Sequence, residues 1–258
     1  MAEPAVLYGL RENIAVLTLN RPHRLNAINM EMLTQLVGRL DDARQDSAVS
    51  CAILTGTGRA FCSGEDLKET AAGKTLEAWE REVAGLQEVQ RAVMRLGKPL
   101  IAAVRGYAVG GGCEFAMSCD IRIASDDARF GFPETAVGMT VTTAGTKLLS
   151  HLVGLGKAKE LVFTGEFIDA EEAARIGLVN RVVPGDRLMD EAIAMAGKIA
   201  ERSPLALRLS RTAIEEGLHS TFEQALELEA GQILECVQEG SYIEYAKKTA
   251  KGMGKGRR

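Results

Sequence analysis

Apolar positions in the first half of the chain alternate between short runs typical of strands and longer stretches with helical spacing. Short apolar runs predict strands at residues 6–10, 14–19, 51–55, 100–104 and 121–124. The first two of these flank a polar turn and form a hairpin. Helical spacing predicts one helix capped by Asn29 and two more at 76–96 and 111–118. This half is therefore predicted to be a sheet layered with helices.

From Thr142 onward nearly all apolar positions follow the helical period. Asp169 begins a capping box, and Ser203 followed by Pro204 has the pattern of an N-cap with proline at the first helical position. Within this half only 178–183 has the pattern of a strand. We predict an α/β protein with its core in residues 1–195 and a helical part at 196–258.

Composition and charge narrow the function classes. A chain of 258 residues with 46% apolar side chains is long enough to bury a sizeable core. Its net charge of −4 disfavours nucleic acid and anionic membrane as partners. The basic C-terminal tail is the local exception: it is either a solvated tail or a cationic arm that contacts ligand phosphates. Its residues are Lys247, Lys248, Lys251, Lys255, Arg257 and Arg258.

The cysteines and apolar runs argue against a metal site and a membrane span. None of the 5 cysteines forms a CxxC pair, and the 3 histidines do not cluster near them, so we expect no metal. The odd number of cysteines and the absence of a leader pattern favour a reducing cytoplasm. No apolar run approaches the ~20 residues that a bilayer requires. Cys113 has no neighbouring histidine and is not expected to be a nucleophile.

Two segments rich in small residues each follow an apolar strand, at 60–67 and 106–114. The second contains Gly110, Gly111 and Gly112, which would let a ligand approach the backbone at a helix N-terminus. If the first segment supplies another N–H, the pair forms an oxyanion hole for a thioester enolate. A triple glycine alone also fits a tight turn or a packing contact.

Two glutamates, Glu114 and Glu134, lie in largely apolar stretches. A carboxylate in such company is costly to bury, so each is either paired in a salt bridge or functional. Beside backbone donors, one carboxylate can deprotonate water while the other protonates carbon. These are the groups needed to add water across an activated double bond.

Several stretches, in this order and spacing, resemble the enoyl-CoA hydratase/isomerase (crotonase) superfamily over nearly the whole chain. They are Leu19-Asn20-Arg21-Pro22 with Leu25-Asn26-Ala27, Ala60-Phe61-Cys62-Ser63-Gly64, Lys98-Pro99, Gly106 through Glu114, Cys119-Asp120, Phe130 through Glu134, Phe163-Thr164-Gly165 and Gly177 through Asn180. The resemblance implies a spiral of ββα units with a helical C-terminal part. It also implies trimers that usually pair into hexamers.

The resemblance assigns roles by matching position. Backbone N–H groups of Glu65 and Gly111 would form the oxyanion hole, with Glu114 activating water and Glu134 protonating the α-carbon. Because members that shift double bonds often keep only the second glutamate, the pair favours hydration of a 2-enoyl-CoA. An isomerase, a hydrolase or a lyase on the same scaffold is the alternative, and RNA binding through the basic tail is a remote one.

The acyl-CoA thioester is expected along two backbone segments, with no further cofactor because coenzyme A is part of the substrate. The implied binding residues are Arg24, Leu25, Ala27, Cys62, Ser63, Gly64, Asp66, Leu67, Gly110 and Thr142. The chain departs from many hydratases at Val141 to Thr146, where Thr142 and Thr143 either shape the acyl pocket or cap a helix. Residues 68–79 are expected to be an exposed loop entering a helix, or else a mobile lid.

Overall fold

The computed structural model of the chain describes residues 3–255, and the side chains of residues 3–251. The chain divides into two compact units, Met1–Gly197 and Lys198–Arg258. Of the predicted basic tail, Arg257, Arg258 and the side chain of Lys255 lie outside what the structure describes.

Two sheets form the centre of the first unit. Their strands are β1 (Val6–Arg11), β2 (Ile14–Leu19), β3 (Cys51–Gly56), β4 (Ala60–Cys62), β5 (Leu100–Val104), β6 (Tyr107–Val109), β7 (Ile121–Ser125), β8 (Arg129–Gly131), β9 (Ile168–Asp169) and β10 (Arg181–Val183). The larger sheet has the order β1-β2-β3-β5-β7-β10, and the smaller has the order β4-β6-β8-β9. In the larger sheet β1 and β2 form the predicted antiparallel hairpin, and β2, β3, β5 and β7 pair in parallel.

Helices of the first unit connect and cover these strands. They are α1 (Met30–Gln45), α2 (Leu67–Ala71), α3 (Leu76–Arg95), α4 (Gly111–Ser118), α5 (Gly145–Val153), α6 (Leu155–Thr164), α7 (Ala170–Arg175) and α8 (Leu188–Ala200), the last continuing past residue 197. Successive strand pairs place one strand in each sheet: β3 and β4, then β5 and β6, then β7 and β8. This arrangement confirms the predicted α/β spiral of ββα units.

Local sequence explains where the main elements begin. Every residue of β5 is buried, as its unbroken apolar run predicts for a central parallel strand. The Asn29 side chain accepts a hydrogen bond from the N–H of Met32 and caps α1. Because α4 begins at Gly111, directly after β6, its free N–H groups lie at the end of a strand of the smaller sheet.

Three predictions of secondary structure were wrong in detail. The strand predicted at 178–183 is confined to β10, because Leu178 and Val179 turn into the core before it. The strands of the smaller sheet, β4, β6, β8 and β9, were not predicted. The loop predicted at 68–79 contains most of α2, whose N-cap is Asp66.

The second unit is helical, with α9 (Pro204–Gly217), α10 (Phe222–Glu239) and α11 (Tyr242–Lys255). Ser203 caps α9 as predicted, and Thr221 with Gln224 forms a full capping box on α10. Apolar side chains on α9 and α10 remain exposed, among them Ile214 at 72% and Phe222 at 92%. None of the helices within residues 3–255 combines the length and the apolarity that a bilayer crossing requires.

Candidate active site

A cavity of about 180 Å³ opens in the first unit, where the ends of β4 and β6 meet the start of α4. Nine of the residues predicted for the site line it: Ser63, Gly64, Glu65, Leu67, Gly110, Gly111, Glu114, Glu134 and Thr142. Five others do not line it: Arg24, Leu25, Ala27, Cys62 and Asp66. The structure thus brings both glutamates and both proposed oxyanion residues to one cavity.

Gly64 and Gly111 belong to two backbone segments that pass each other closely. A Cβ placed on Gly64 would lie 2.5 Å from the carbonyl oxygen of Val109 and 3.5 Å from the nitrogen of Gly111. Gly111 is the first residue of α4, so its N–H has no acceptor within the helix. Within the described residues the backbone N–H of Glu65 also forms no hydrogen bond. These two N–H groups are available for an oxyanion.

Close approach explains the glycines of this region better than flexibility does. Gly64 has φ +79, which L side chains rarely adopt, and its missing side chain gives Val109 room. A Cβ on Gly112 would lie 2.2 Å from the carbonyl oxygen of Cys62. The segments 60–67 and 106–114 can therefore pack together only because Gly64 and Gly112 lack a side chain.

Glu114 is buried in the cavity wall, with 1% of its surface exposed. Its Oε1 accepts backbone hydrogen bonds from the N–H groups of Thr142 at 3.2 Å, Thr143 at 2.5 Å and Gly145 at 3.3 Å. Burial, together with the charge of Glu134, raises the pKa of Glu114 to about 7 against the lowering effect of these donors. A carboxylate with such a pKa can exchange a proton near neutral pH.

Glu134 lies on a 3-10 helix, Pro133–Val137, directly after the smaller sheet. A Cβ on Gly110 would lie 2.9 Å from Glu134 Oε1, so this oxygen lies against the backbone of Gly110. Its Oε2 is buried and has no hydrogen-bond partner among the described residues. Burial raises the pKa of Glu134 above its ordinary value, so the protonated form is favoured more than in water.

The segment that departs from the usual hydratase pattern holds Glu114 in place. Helix α5 begins only at Gly145, and neither Thr142 nor Thr143 caps it with a side chain. Instead their backbone N–H groups point to the carboxylate, and a Cβ on Gly145 would lie 2.5 Å from Glu114 Oε1. The prediction of helix capping is therefore wrong. Thr142 also lines the cavity, as predicted for a residue that shapes the acyl pocket.

Arg24 to Ala27 form a tight turn that packs on residues 60–67, the first of the two segments rich in small residues. Leu25 and Asn26 both have positive φ, and the carbonyl oxygen of Leu25 accepts the N–H of Ser63 at 3.1 Å. Sequence reasoning did not assign Asn26 to the site, yet it is fully buried. Its Nδ2 donates to the carbonyl oxygens of Thr57 and Ala60, and its Oδ1 accepts the N–H of Arg21. Asn26 therefore fixes the shape of the turn.

Cys62 and Asp66 have structural partners of their own. Cys62 is fully buried, and burial raises the pKa of its thiol to about 12. The Asp66 carboxylate caps α2 and lies 3.7 Å from the Arg21 guanidinium. Coenzyme contacts at these residues, and at Arg24, Leu25 and Ala27, stay predictions. Cys113 is also buried with a pKa well above its ordinary value, which does not favour a nucleophile.

Apolar residues complete the cavity wall, and apart from Trp79, which ends the segment 68–79 considered as a mobile lid, none of them was assigned to the site from the sequence. The apolar residues are Ile28, Trp79, Val83, Leu86, Val109, Pro133, Val137 and Met139. Thr140 also lines the cavity and is polar. Trp79, Val83 and Leu86 recur at the helical spacing on α3, which shows that one face of this helix lines the cavity. Within residues 3–255 no cluster of histidine, cysteine or carboxylate side chains is suited to hold a metal ion.

We expect Gly64→Ala to lower kcat for the reaction at this cavity by about 100-fold, because misplacing a reacting geometry by roughly 1 Å costs that much. The new Cβ would clash with Val109 and strain a backbone that has φ +79. Gly154→Ala is the matched control, since Gly154 has φ +80 and open space around it. Steady-state kinetics of both variants check the prediction, and equal losses in the two would contradict it.

Comparison with known proteins agrees with this geometry. The family model described as enoyl-CoA hydratase/isomerase matches residues 9–251. The chain is 46% identical over 224 residues to a short-chain-enoyl-CoA hydratase of Clostridium acetobutylicum, covering 86% of this chain and 85% of the relative. It is 42% identical over 231 residues to a crotonyl-CoA hydratase of Syntrophomonas wolfei, covering 89% and 88%. A crystal structure of an enoyl-CoA hydratase from Bacillus anthracis superposes with a TM-score of 0.92 at 34% identity, covering 96% of each chain.

Proposed function

Because this chain belongs to the enoyl-CoA hydratase/isomerase family and is an enoyl-CoA hydratase, we propose that it hydrates a short-chain 2-enoyl-CoA with Glu114 and Glu134 as its catalytic pair. One observation carries the assignment of roles: the buried carboxylate of Glu114 and the half-buried carboxylate of Glu134, both with raised pKa values, line a cavity that also presents two free backbone N–H groups. These are the base, the acid and the anion donors that hydration requires.

The two N–H groups of Glu65 and Gly111 bind the thioester oxygen and stabilise the negative charge that develops there. The Glu114 carboxylate takes a proton from water as the water oxygen forms a bond to C3. The π electrons of the 2,3 double bond move to the thioester oxygen and give an enolate. Glu134, in its protonated form, then delivers its proton to C2 and completes the 3-hydroxyacyl-CoA. Transfer of a proton from Glu114 to Glu134 restores the starting state.

Within Glu114, Oε2 is the oxygen suited to hold the water. Its partner Oε1 already accepts three backbone N–H groups, which fix the side chain. A Cβ on Gly111 would lie 4.0 Å from Oε2, so this oxygen lies beside the oxyanion segment. A water held there is within reach of an acyl group whose carbonyl occupies the oxyanion site.

The size of the cavity supports a short acyl group. Its volume of about 180 Å³ is below the ~300–1,000 Å³ typical of pockets for drug-sized ligands. The apolar face of α3 and the exposed Val137 suit a hydrocarbon chain rather than a charged one. The names of the two relatives, short-chain-enoyl-CoA hydratase and crotonyl-CoA hydratase, agree with this choice.

Crotonyl-CoA is the substrate that tests the proposal. Hydration removes the conjugation between the double bond and the thioester carbonyl. The purified protein is therefore expected to lower the absorbance of crotonyl-CoA and to yield 3-hydroxybutyryl-CoA. Product analysis separates this reaction from isomerisation, which moves the double bond without adding water, and from hydrolysis, which releases free coenzyme A. A wild-type protein that leaves crotonyl-CoA unchanged but hydrates longer 2-enoyl thioesters would contradict the short-chain assignment alone.

We further propose a homotrimer, or a hexamer of two trimers, in the cytoplasm. The exposed apolar side chains of α9 and α10 support assembly, since Ile214, Phe222 and Leu226 would otherwise face water. Free cysteines at all 5 positions support a reducing compartment. The mass in solution, measured by light scattering, tests the assembly. The proposal needs no cofactor beyond the coenzyme A of the substrate, no metal and no nucleic acid.

A further inference from the structure

The side chain of Glu65, whose N–H we assign to the oxyanion hole, enters a cluster of charges outside the catalytic pair. Lys74 Nζ contacts Glu65 Oε1 and lies 2.5 Å from Glu82 Oε2. Thr70 Oγ1 donates to the same Glu65 oxygen at 2.8 Å. Exposed fractions of 13% for Lys74, 18% for Glu65 and 5% for Glu82 show that water screens these contacts only weakly.

Lys74 holds together two carboxylates that would otherwise repel each other. Burial and the neighbouring Glu65 raise the pKa of Glu82 to about 7, against the lowering effect of Lys74. Within the described residues Glu82 Oε1 is buried without a hydrogen-bond partner. Removing one partner from such a cluster leaves uncompensated buried charge, which is far more disruptive than breaking an exposed ion pair.

The partners of Lys74 lie on two different elements that line the cavity, the segment of Glu65 and helix α3. Glu65 pairs with Ile28 in an isolated β-bridge and lines the cavity at the oxyanion position. Glu82 is on α3, the helix whose apolar face lines the cavity. Lys74 Nζ also lies 4.7 Å from the centre of the Trp79 ring, within the range of a cation–π contact, and Trp79 lines the cavity. Lys74 therefore links Glu65, at the oxyanion position, to helix α3, whose apolar face lines the cavity.

We propose that Lys74 is a positioning residue for the hydration reaction, because through Glu65, Glu82 and Trp79 it fixes the oxyanion N–H of Glu65 relative to α3. This inference rests on the proposed function. It also gives residues 68–79 a role different from that of a freely mobile lid, since Lys74 anchors the turn between α2 and α3 on both sides.

Lys74→Met tests the inference with crotonyl-CoA as the substrate. We expect kcat to fall by about 10-fold to 100-fold, while KM changes by less than about threefold, because the displaced N–H acts on the developing enolate more than on the bound substrate. Lys74→Arg keeps a cation between the carboxylates and is expected to recover kcat to within about fivefold of wild type. Lys159→Met, at an exposed lysine of α6, is the control for loss of a lysine charge and is expected to keep kcat.

Outcomes of this experiment separate the two proposals. A wild-type protein that hydrates no 2-enoyl-CoA overturns the function and, with it, the role of Lys74. If the wild type is active, an unchanged kcat in Lys74→Met overturns only the positioning role, as does a Lys74→Arg variant that is as impaired as Lys74→Met. Should Lys74→Met fail to fold, Glu82→Gln decides: we expect a kcat lower by about threefold to tenfold, and an unchanged kcat overturns the inference.

Discussion

Replacing Glu134 by glutamine is expected to lower kcat for hydration of crotonyl-CoA by about 10³-fold, within the 10² to 10⁴ that a positioned acid or base contributes. Glutamine has nearly the same shape but no proton that it can deliver to C2. The site leaves the amide room, because Glu134 Oε2 has no hydrogen-bond partner among the described residues. Loss of the thioester absorbance measures kcat, and calorimetric titration with crotonyl-CoA is expected to show binding within about threefold of wild type.

Glu166→Gln is the control for this substitution, since Glu166 is an exposed carboxylate of the same unit. It should hydrate at the wild-type rate. Full activity in Glu134→Gln would remove the acid role from Glu134 and leave Glu114 as the only carboxylate of the mechanism. A variant that no longer binds the thioester would instead show that Glu134 holds the substrate rather than transferring a proton.

The sequence was informative where function depends on local backbone chemistry. Strand ends, helix starts and glycines lie close together in the chain, so the position of Gly111 at the start of α4 followed from residues 100–118 alone. The same holds for the Asn29 cap and the hairpin of β1 and β2. Resemblance to the family then brought Glu114 and Glu134 to one site, although they lie on different elements.

Contacts between segments far apart in sequence could not be predicted. The three N–H groups that hold Glu114 come from a segment about 28 to 31 residues away, and their direction depends on how Ala144 turns into α5 with φ 56. For Thr142 and Thr143 the sequence left pocket shaping and helix capping as alternatives, because hydroxyl side chains are common at caps, but in the folded chain their backbone N–H groups bind Glu114 instead of their side chains capping α5. Lys74 was equally hidden, since its partners lie 9 and 8 residues away on either side of a turn.

Replacing Glu114 by glutamine is expected to have two opposite effects, one on catalysis and one on stability. We expect kcat to fall by about 10²-fold to 10³-fold, because an amide cannot take a proton from water. In the wild type this base must be ionised, so its pKa of about 7 predicts that kcat falls as pH drops below about 7. The raised pKa of Glu134, which must be protonated, predicts a second loss on the alkaline side.

The stability effect follows from the same shift in pKa. In the folded protein Glu114 has a pKa of about 7 against an ordinary value of 4.5, so the folded state binds this proton more tightly than the unfolded state. The contribution of Glu114 to the free energy of unfolding is therefore most favourable below pH 4.5, and it falls as pH rises to about 7. At 1.4 kcal/mol per pKa unit, the buried charge costs about 3 kcal/mol above that pH.

Glutamine removes this charge yet keeps an oxygen that can accept the N–H groups of Thr142, Thr143 and Gly145. We therefore expect Glu114→Gln to be more stable than wild type by about 2–3 kcal/mol at pH 8, and nearly equal to it at pH 4.5. Urea unfolding of both proteins at these two pH values, at one chain concentration, measures the difference. A variant less stable than wild type at pH 8 would show that the carboxylate is held there for stability, whereas an inactive and stabilised variant means that the fold bears the cost of a buried charge for catalysis.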